Sequence, residues 1–142
     1  LFVKREVLAK ILPYVDEFYT DLKIFDNDWH KKCTNVDNQV IKDNLKFLLQ
    51  TDKKDCVIVR TPLIPTLTAT KENIEQISRF ISSCYDKVKY ELLNYNPLAK
   101  AKYSYLDKKY YFTENPKLYS NAQLQFFYDI AKQNGIKNLI IE

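Results

Sequence analysis

The sequence predicts an α/β fold with parallel strands, of a size that suits about half of an α/β barrel or a small open sheet. Three observations carry that expectation. Stretches of helical and extended periodicity alternate along the chain, which is the pattern of parallel βα units. Residues 56–64 are almost wholly apolar except for Arg60, as in a parallel strand covered on both faces. The length of 142 residues suits one domain with one core.

The elements follow in order. Residues 1–12 read as a helix, with Val3, Val7, Leu8, Ile11 and Leu12 at helical spacing and Pro13 ending it. Residues 17–24 are rich in aromatic and β-branched types and read as a strand. A polar stretch, residues 26–37, precedes a second helix marked by Val40, Ile41, Leu45, Leu48 and Leu49, with Asp37 or a neighbour as N-cap. After a charged turn at 50–55, Pro62 and Pro65 end the ladder of the strand at 56–64. Thr70 caps a third helix with Ile74, Ile77, Phe80 and Ile81 as its apolar face. Residues 88–95 read as a strand, and residues 96–119 as a long irregular segment rich in Tyr and Lys. Ser120 and Gln123 form a capping box for the last helix, whose face is Leu124, Phe127, Tyr128, Ile130 and Ala131. Gly135 stands at its C′ position, and residues 136–141 close as a short strand. The whole reads as one incomplete domain, residues 1–142: a half barrel at 1–96, then an extension with the last helix and strand at 97–142. A half barrel leaves strand edges unpaired, and a chain starting at Leu1 with no Met reads as a piece of something longer.

Composition excludes several classes. A single glycine leaves no room for a Walker loop, a dinucleotide-binding fingerprint or an EF-hand. No apolar run has the roughly 18 residues of a membrane helix, and no secretory segment opens the chain, so no membrane partner is expected. The net charge of +4 comes from scattered lysines rather than a basic stripe, and no nucleic-acid partner is expected. Cys33, Cys56 and Cys84 form neither a zinc pattern nor a disulfide framework, which fits a reducing cytoplasm and inert core thiols.

The informative residues are charges inside strands. Tyr19, Asp21 and Lys23 share one strand face, with Asp21 and Lys23 at its carboxyl end. Arg60 is the one charge in its strand, and Leu92, Asn94 and Asn96 share a face at the end of theirs. Open α/β sheets and barrels bind ligands at the carboxyl ends of the strands. A carboxylate, an ammonium and a guanidinium would converge there and suit a zwitterionic or anionic small ligand. The bland alternative is that Asp21 pairs with Lys23 or Arg60 only to neutralise a buried charge. The single histidine, His30, lies in the polar stretch, where a surface or capping role is expected. Trp29, Tyr103, Tyr105, Tyr110 and Tyr111 are expected to pack loops onto the body.

Several segments together resemble one family. Residues 14–23, Y-V-D-E-F-Y-T-D-L-K, resemble the strand with the D-L-K motif of glycyl-radical-enzyme activating enzymes, the pyruvate formate-lyase activase group. His30, Thr34 and Asn38 match the H-x3-T-x3-N spacing that follows it there. Residues 57–65, V-I-V-R-T-P-L-I-P, resemble the next strand, and residues 70–74 the D-x-x-E-N-I helix start. Residues 90–103 resemble E-L-L-P-Y-H-x-L-G-x-x-K-Y. The matches keep family order and spacing over most of residues 10–110.

The resemblance implies the C-terminal part of a partial (β/α) barrel of the radical S-adenosylmethionine (SAM) type. Such an oxidoreductase cleaves SAM reductively at a 4Fe–4S cluster and generates a glycyl radical on a partner enzyme. By resemblance, Asp21, Lys23 and Asn96 would help hold SAM and its associated cation. Arg60 would lie in the barrel interior near SAM or the partner's glycine loop. Lys102 and Tyr103 would belong to a partner-docking segment, and flavodoxin or ferredoxin would donate electrons. The family's C-x3-C-x2-C cluster motif and glycine-rich SAM strand are absent from these residues and belong to its N-terminal half. Three thiolates are needed for such a cluster, so neither a catalytic residue nor a cluster ligand is expected within the chain, which alone should be inactive. Asn35 and Ala99 stand where the family usually has Gly, and Asn96 where it often has His. A non-catalytic relative that still binds SAM or a protein partner is the alternative.

Overall fold

The computed structural model describes residues 1–107 and 109–141. Helix α1, Arg5–Ile11, runs into a 3-10 turn, Leu12–Tyr14, and then strand β1, Phe18–Asp21. Helices α2, Asn27–Thr34, and α3, Gln39–Leu48, lead to β2, Val57–Pro62. Helix α4, Lys71–Cys84, precedes β3, Lys89–Leu93. A short helix α5, Ala99–Tyr103, then α6, Asn121–Gln133, lead to β4, Asn138–Ile140. The four strands lie in the order β1-β2-β3-β4 and all neighbours are parallel. The parallel α/β expectation therefore holds.

Alternation along the strands divides the sheet into two unlike faces. Phe18, Val57, Val59, Tyr90 and Leu92 join one core cluster with Leu45 and Leu48 of α3, Ile74, Ile77 and Ile81 of α4, and Phe127 and Ile130 of α6. Tyr19, Asp21, Ile58, Arg60, Lys89 and Glu91 point the other way, as their register shows. The apolar run in β2 thus reflects one helix-packed face plus Ile58, not helices on both sides.

Local chemistry sets the element ends. Thr70 accepts a hydrogen bond from the Asn73 amide at 3.1 Å and starts α4. The Ser120–Gln123 capping box starts α6, and Gly135, at φ 99°, follows it. A Cβ at Gly135 would also lie 2.7 Å from Ser82 Oγ, so both backbone and space call for glycine.

Three expectations are corrected. The first helix starts at Arg5, Pro13 sits within the 3-10 turn, and only Leu8 of α1 is buried. Val3, Val7 and Ile11 are 42%, 50% and 45% exposed, so the helical spacing did not mark a covered face. The polar stretch at 26–37 contains α2, capped by Asp26, which accepts from the Trp29 amide at 2.7 Å. That helix has too few apolar residues to show a period. The N-cap residue of α3 is Asn38, the neighbour of Asp37, as expected, and Asp37 Oδ1 accepts from the Gln39 amide at 2.8 Å. The irregular segment at 96–119 contains α5, and all four strands are shorter than their apolar runs.

One backbone position is strained. Thr66, in the connection from β2 to α4, has φ 62°, a left-handed conformation that a β-branched residue rarely adopts. Thr66→Gly should raise stability by about 0.5–1 kcal/mol, because relief of roughly 1–2 kcal/mol exceeds the added unfolded-state entropy. A urea midpoint that stays put or falls would show that the loop holds Thr66 without strain.

Candidate functional site

The carboxyl ends of β1 and β2 bring three sequence-singled charges together. Asp21 stands opposite Arg60 in the register of the two strands. Asp21 Oδ2 accepts from Lys23 Nζ at 2.8 Å, and Oδ1 accepts from Arg60 Nε at 3.2 Å. Partial burial opposes ionisation of Asp21, but the Lys23 ammonium and the Arg60 guanidinium outweigh it and hold the carboxyl below its usual range. The pairing that the bland alternative required is present. Yet the side chains are 47%, 32% and 32% exposed for Lys23, Asp21 and Arg60, so no deeply buried charge is being neutralised. Pairs this open contribute little to stability. They do form a cluster of opposite charges that solvent can reach.

Arg60 also lies over the Tyr19 ring, 5.1 Å from its centroid. The Tyr19 phenol is pushed above its ordinary pKa, chiefly by its hydrogen bond to Glu17, with Glu91 adding to the effect. Glu91 was missed by the sequence reading. It stands opposite Arg60 on β3, 8% exposed, and continues a row of Asp21, Arg60 and Glu91 across three strands. The signal was there: Lys89 and Glu91 alternate with the buried Tyr90 and Leu92.

The backbone behind this row is supported from inside. Leu22 donates its amide to the Arg60 carbonyl at 3.0 Å, and its own carbonyl accepts from Thr61 Oγ1 at 2.7 Å. The buried Tyr90 hydroxyl donates to Thr61 Oγ1 at 2.9 Å. Burial pushes the Tyr90 phenol up, so it stays a protonated donor.

The other singled residues lie apart. β3 ends at Leu93, so Asn94 and Asn96 are past the strand rather than on its face. Asn96 is exposed, and its Oδ1 accepts from the Leu98 amide at 3.0 Å at the entry to α5. No hydrogen bond joins it to Asp21 or Lys23. Asn94 binds both backbone groups of Tyr119 at 3.0 Å and fastens the extension to the sheet end. Lys102 is exposed on α5, and Tyr103 packs edge-on against Tyr110 at 5.2 Å. Tyr110 in turn shares a hydrogen-bond cluster with Tyr95 and Asn115. Trp29 packs as expected, its Nε1 donating to the Leu67 carbonyl at 3.0 Å. Tyr105 does not, at 88% exposure, and Tyr111 is 62% exposed while touching Phe112.

His30 is not a surface residue of a loop. It is 6% exposed within α2, with Nδ1 3.0 Å from the Val36 carbonyl oxygen, so that nitrogen carries the proton. Thr34 Oγ1 donates to the His30 carbonyl at 2.8 Å. The H-x3-T part of the motif is therefore a local brace. Cys33 is exposed rather than in the core, and Cys56 and Cys84 are half-buried. Burial raises the Cys33 and Cys84 thiols, which keeps them poor nucleophiles.

A parallel half-barrel sheet with a charged carboxyl-end rim is the arrangement of ligand-binding α/β proteins. A crystallised domain of pyruvate-formate lyase-activating enzyme from Bacteroides vulgatus ATCC 8482 shares this fold, with a TM-score of 0.73 at 20% identity, covering 100% of this chain and 76% of that one. No family model matches the sequence. Curated relatives do. Indoleacetate decarboxylase activating enzyme of Tractidigestivibacter scatoligenes is 34% identical over 99% of this chain and 44% of its own length. 4-Hydroxyphenylacetate decarboxylase activating enzyme of Clostridioides difficile is 30% identical over 94% of this chain and 42% of its own. Isethionate sulfite-lyase activating enzyme of Oleidesulfovibrio alaskensis is 36% identical over 69% of this chain and 31% of its own. The chain belongs to the family of glycyl-radical-enzyme activating enzymes. It spans less than half the length of these relatives.

Proposed function

We propose that these residues form the C-terminal part of a radical SAM activase that generates a glycyl radical on a partner enzyme. The observation that carries this reading is the rim set of Asp21, Lys23 and Arg60, in a chain related along its length to activating enzymes. SAM carries an ammonium and a carboxylate on its amino-acid end and a positive sulfonium. The rim fits that pattern: Lys23 and Arg60 complement the carboxylate, and Asp21 complements the ammonium or an accompanying cation. When bound, SAM supplies, by reductive cleavage, the hydrogen-abstracting chemistry that a glycine of the partner undergoes.

The residues present do not fit a 4Fe–4S cluster. The three cysteines sit on α2, before β2 and at the end of α4, and no group of three His, Cys, Asp or Glu suited to a metal occurs among the described residues. Cluster ligands would have to come from elsewhere in a longer protein. In this reading the protein chain has three tasks: Lys23 and Asp21 orient SAM, Arg60 extends the charged wall toward the barrel interior, and Lys102 and Tyr103 stand on the extension that meets the partner. Asn96 would reach SAM only if its cap on Leu98 opened. A flavodoxin or ferredoxin would supply electrons, and the three unpaired thiols suit the cytoplasm. Among the described residues no helix is long and apolar enough to cross a membrane.

The test uses the full-length protein, reconstituted anaerobically with iron and sulfide and mixed with SAM, a reductant and candidate glycyl radical enzymes. A glycyl radical signal by electron paramagnetic resonance, dependent on SAM and on one partner, is expected. A reconstituted protein that binds SAM yet yields no radical on any candidate would sink the activase reading.

A further inference from the structure

The segment that carries Lys23 is held in an unusual way. Past the end of β1, its carbonyls would ordinarily turn to water. Here four consecutive carbonyls, from Leu22 to Phe25, each accept a hydrogen bond from a side chain of another element. Thr61 of β2 takes Leu22, as above. Asn38 Nδ2, fully buried, donates to Ile24 and Phe25 at 3.0 Å each. Asn73 of α4, 7% exposed, donates from Nδ2 to the Lys23 carbonyl at 2.8 Å, and its Oδ1 accepts from the Phe25 amide at 2.8 Å. The same Nδ2 donates to the Thr68 carbonyl at 2.9 Å. One buried amide therefore ties the rim segment to the connection that follows β2.

A lysine side chain has many rotamers, so where its ammonium can sit depends on how firmly its backbone is fixed. Lys23 is held at its own carbonyl by Asn73 and at its ammonium by Asp21. We propose that Asn73 is a positioning residue for the rim: it fixes the base of Lys23, so that the ammonium and the Asp21 carboxylate meet SAM in one arrangement, in register with the β2–α4 connection. The proposal rests on the rim reading above and adds to it the group that sets the geometry. Asn73 itself touches no ligand in this account.

The experiment compares Asn73→Ala, Asn73→Asp, Lys23→Ala and Ile77→Val in the full-length protein, by SAM calorimetry and by amide hydrogen exchange. Ile77→Val is a control on the same helix, one turn beyond Asn73 and fully buried in the core cluster, that lowers stability by loss of one methylene. Asn73→Ala should weaken SAM binding about tenfold or more and speed exchange of the Phe25 amide, since its acceptor is gone. Asn73→Asp keeps an acceptor for Phe25 but no donor for Lys23 and Thr68, so the Phe25 amide should stay protected while SAM affinity still falls. Ile77→Val should leave both readouts unchanged, even where it matches the loss of thermal stability. Unchanged affinity in both Asn73 variants, beside a loss in Lys23→Ala, overturns the positioning role. Unchanged affinity in Lys23→Ala overturns the rim reading itself. In that event, acceleration confined to the Phe25 amide in Asn73→Ala supports Asn73 as the residue that fixes this segment, and its absence overturns that as well.

Discussion

Lys23→Ala in the full-length protein should weaken SAM binding by about 10- to 100-fold, the range of a lost charge-assisted hydrogen bond. Stability should change by no more than about 0.5 kcal/mol, because the Lys23–Asp21 pair is half-exposed and screened. A loss of binding with stability kept separates a ligand contact from a structural one. Asp21→Asn should act in the same direction, since it leaves Lys23 and Arg60 without the carboxylate between them. The pH dependence has a definite sign. The Asp21 carboxyl lies below its ordinary 3.8 in the folded chain, so its pairing contributes above that value and is lost as pH falls through the lower one. Binding should thus decline only on acidification below about pH 4, and Asp21→Asn should remove that decline. Calorimetric titration of both variants against the parent checks each statement. An affinity for SAM equal to the parent's in both would place the ligand elsewhere.

The second large effect concerns Tyr90. Tyr90→Ala should cost about 3–5 kcal/mol, from the cavity left by a fully buried ring at the centre of the sheet. That is a large share of the roughly 5–15 kcal/mol that holds an ordinary domain together. Tyr90→Phe keeps the ring and removes only the hydrogen bond to Thr61, so it should cost about 1 kcal/mol. Urea unfolding of the two variants measures the split. A Phe variant as unstable as the Ala variant would mean that the hydroxyl chain from Tyr90 through Thr61 to Leu22 matters more than the packing. Because that chain ends on the Leu22 carbonyl, Tyr90→Phe should also loosen the backbone between Asp21 and Lys23.

Much of the fold was legible because the relevant signals are local. Apolar residues at spacing three and four marked α3, α4 and α6, where one helix face meets the sheet. Thr70, Ser120 and Gly135 marked element ends because capping and a positive φ depend on neighbours in sequence. The same logic failed for α2, which is held by its Asp26 cap, a local bond from His30 to the Val36 carbonyl and a long-range bond from Trp29 to the Leu67 carbonyl rather than by an apolar face. It misled at the chain start, where Val3, ahead of α1, and Val7 and Ile11 within it keep helical spacing without being covered.

The sequence by itself determined that strands and helices alternate, that the strands run parallel, that Asp21 and Lys23 come at the end of the first strand with Arg60 the one charge within the second, and which family the motifs resemble. These follow from periodicity, alternation and short motifs, all carried along the chain. Only the tertiary structure decided that Arg60 sits opposite both Asp21 and Glu91, that Asn96 serves a turn, and that Asn38, Thr61 and Asn73 converge on the backbone beside Lys23. Register and the meeting of residues 50 apart depend on how separate elements pack. No local pattern encodes that distance, because it is set by the core they bury together.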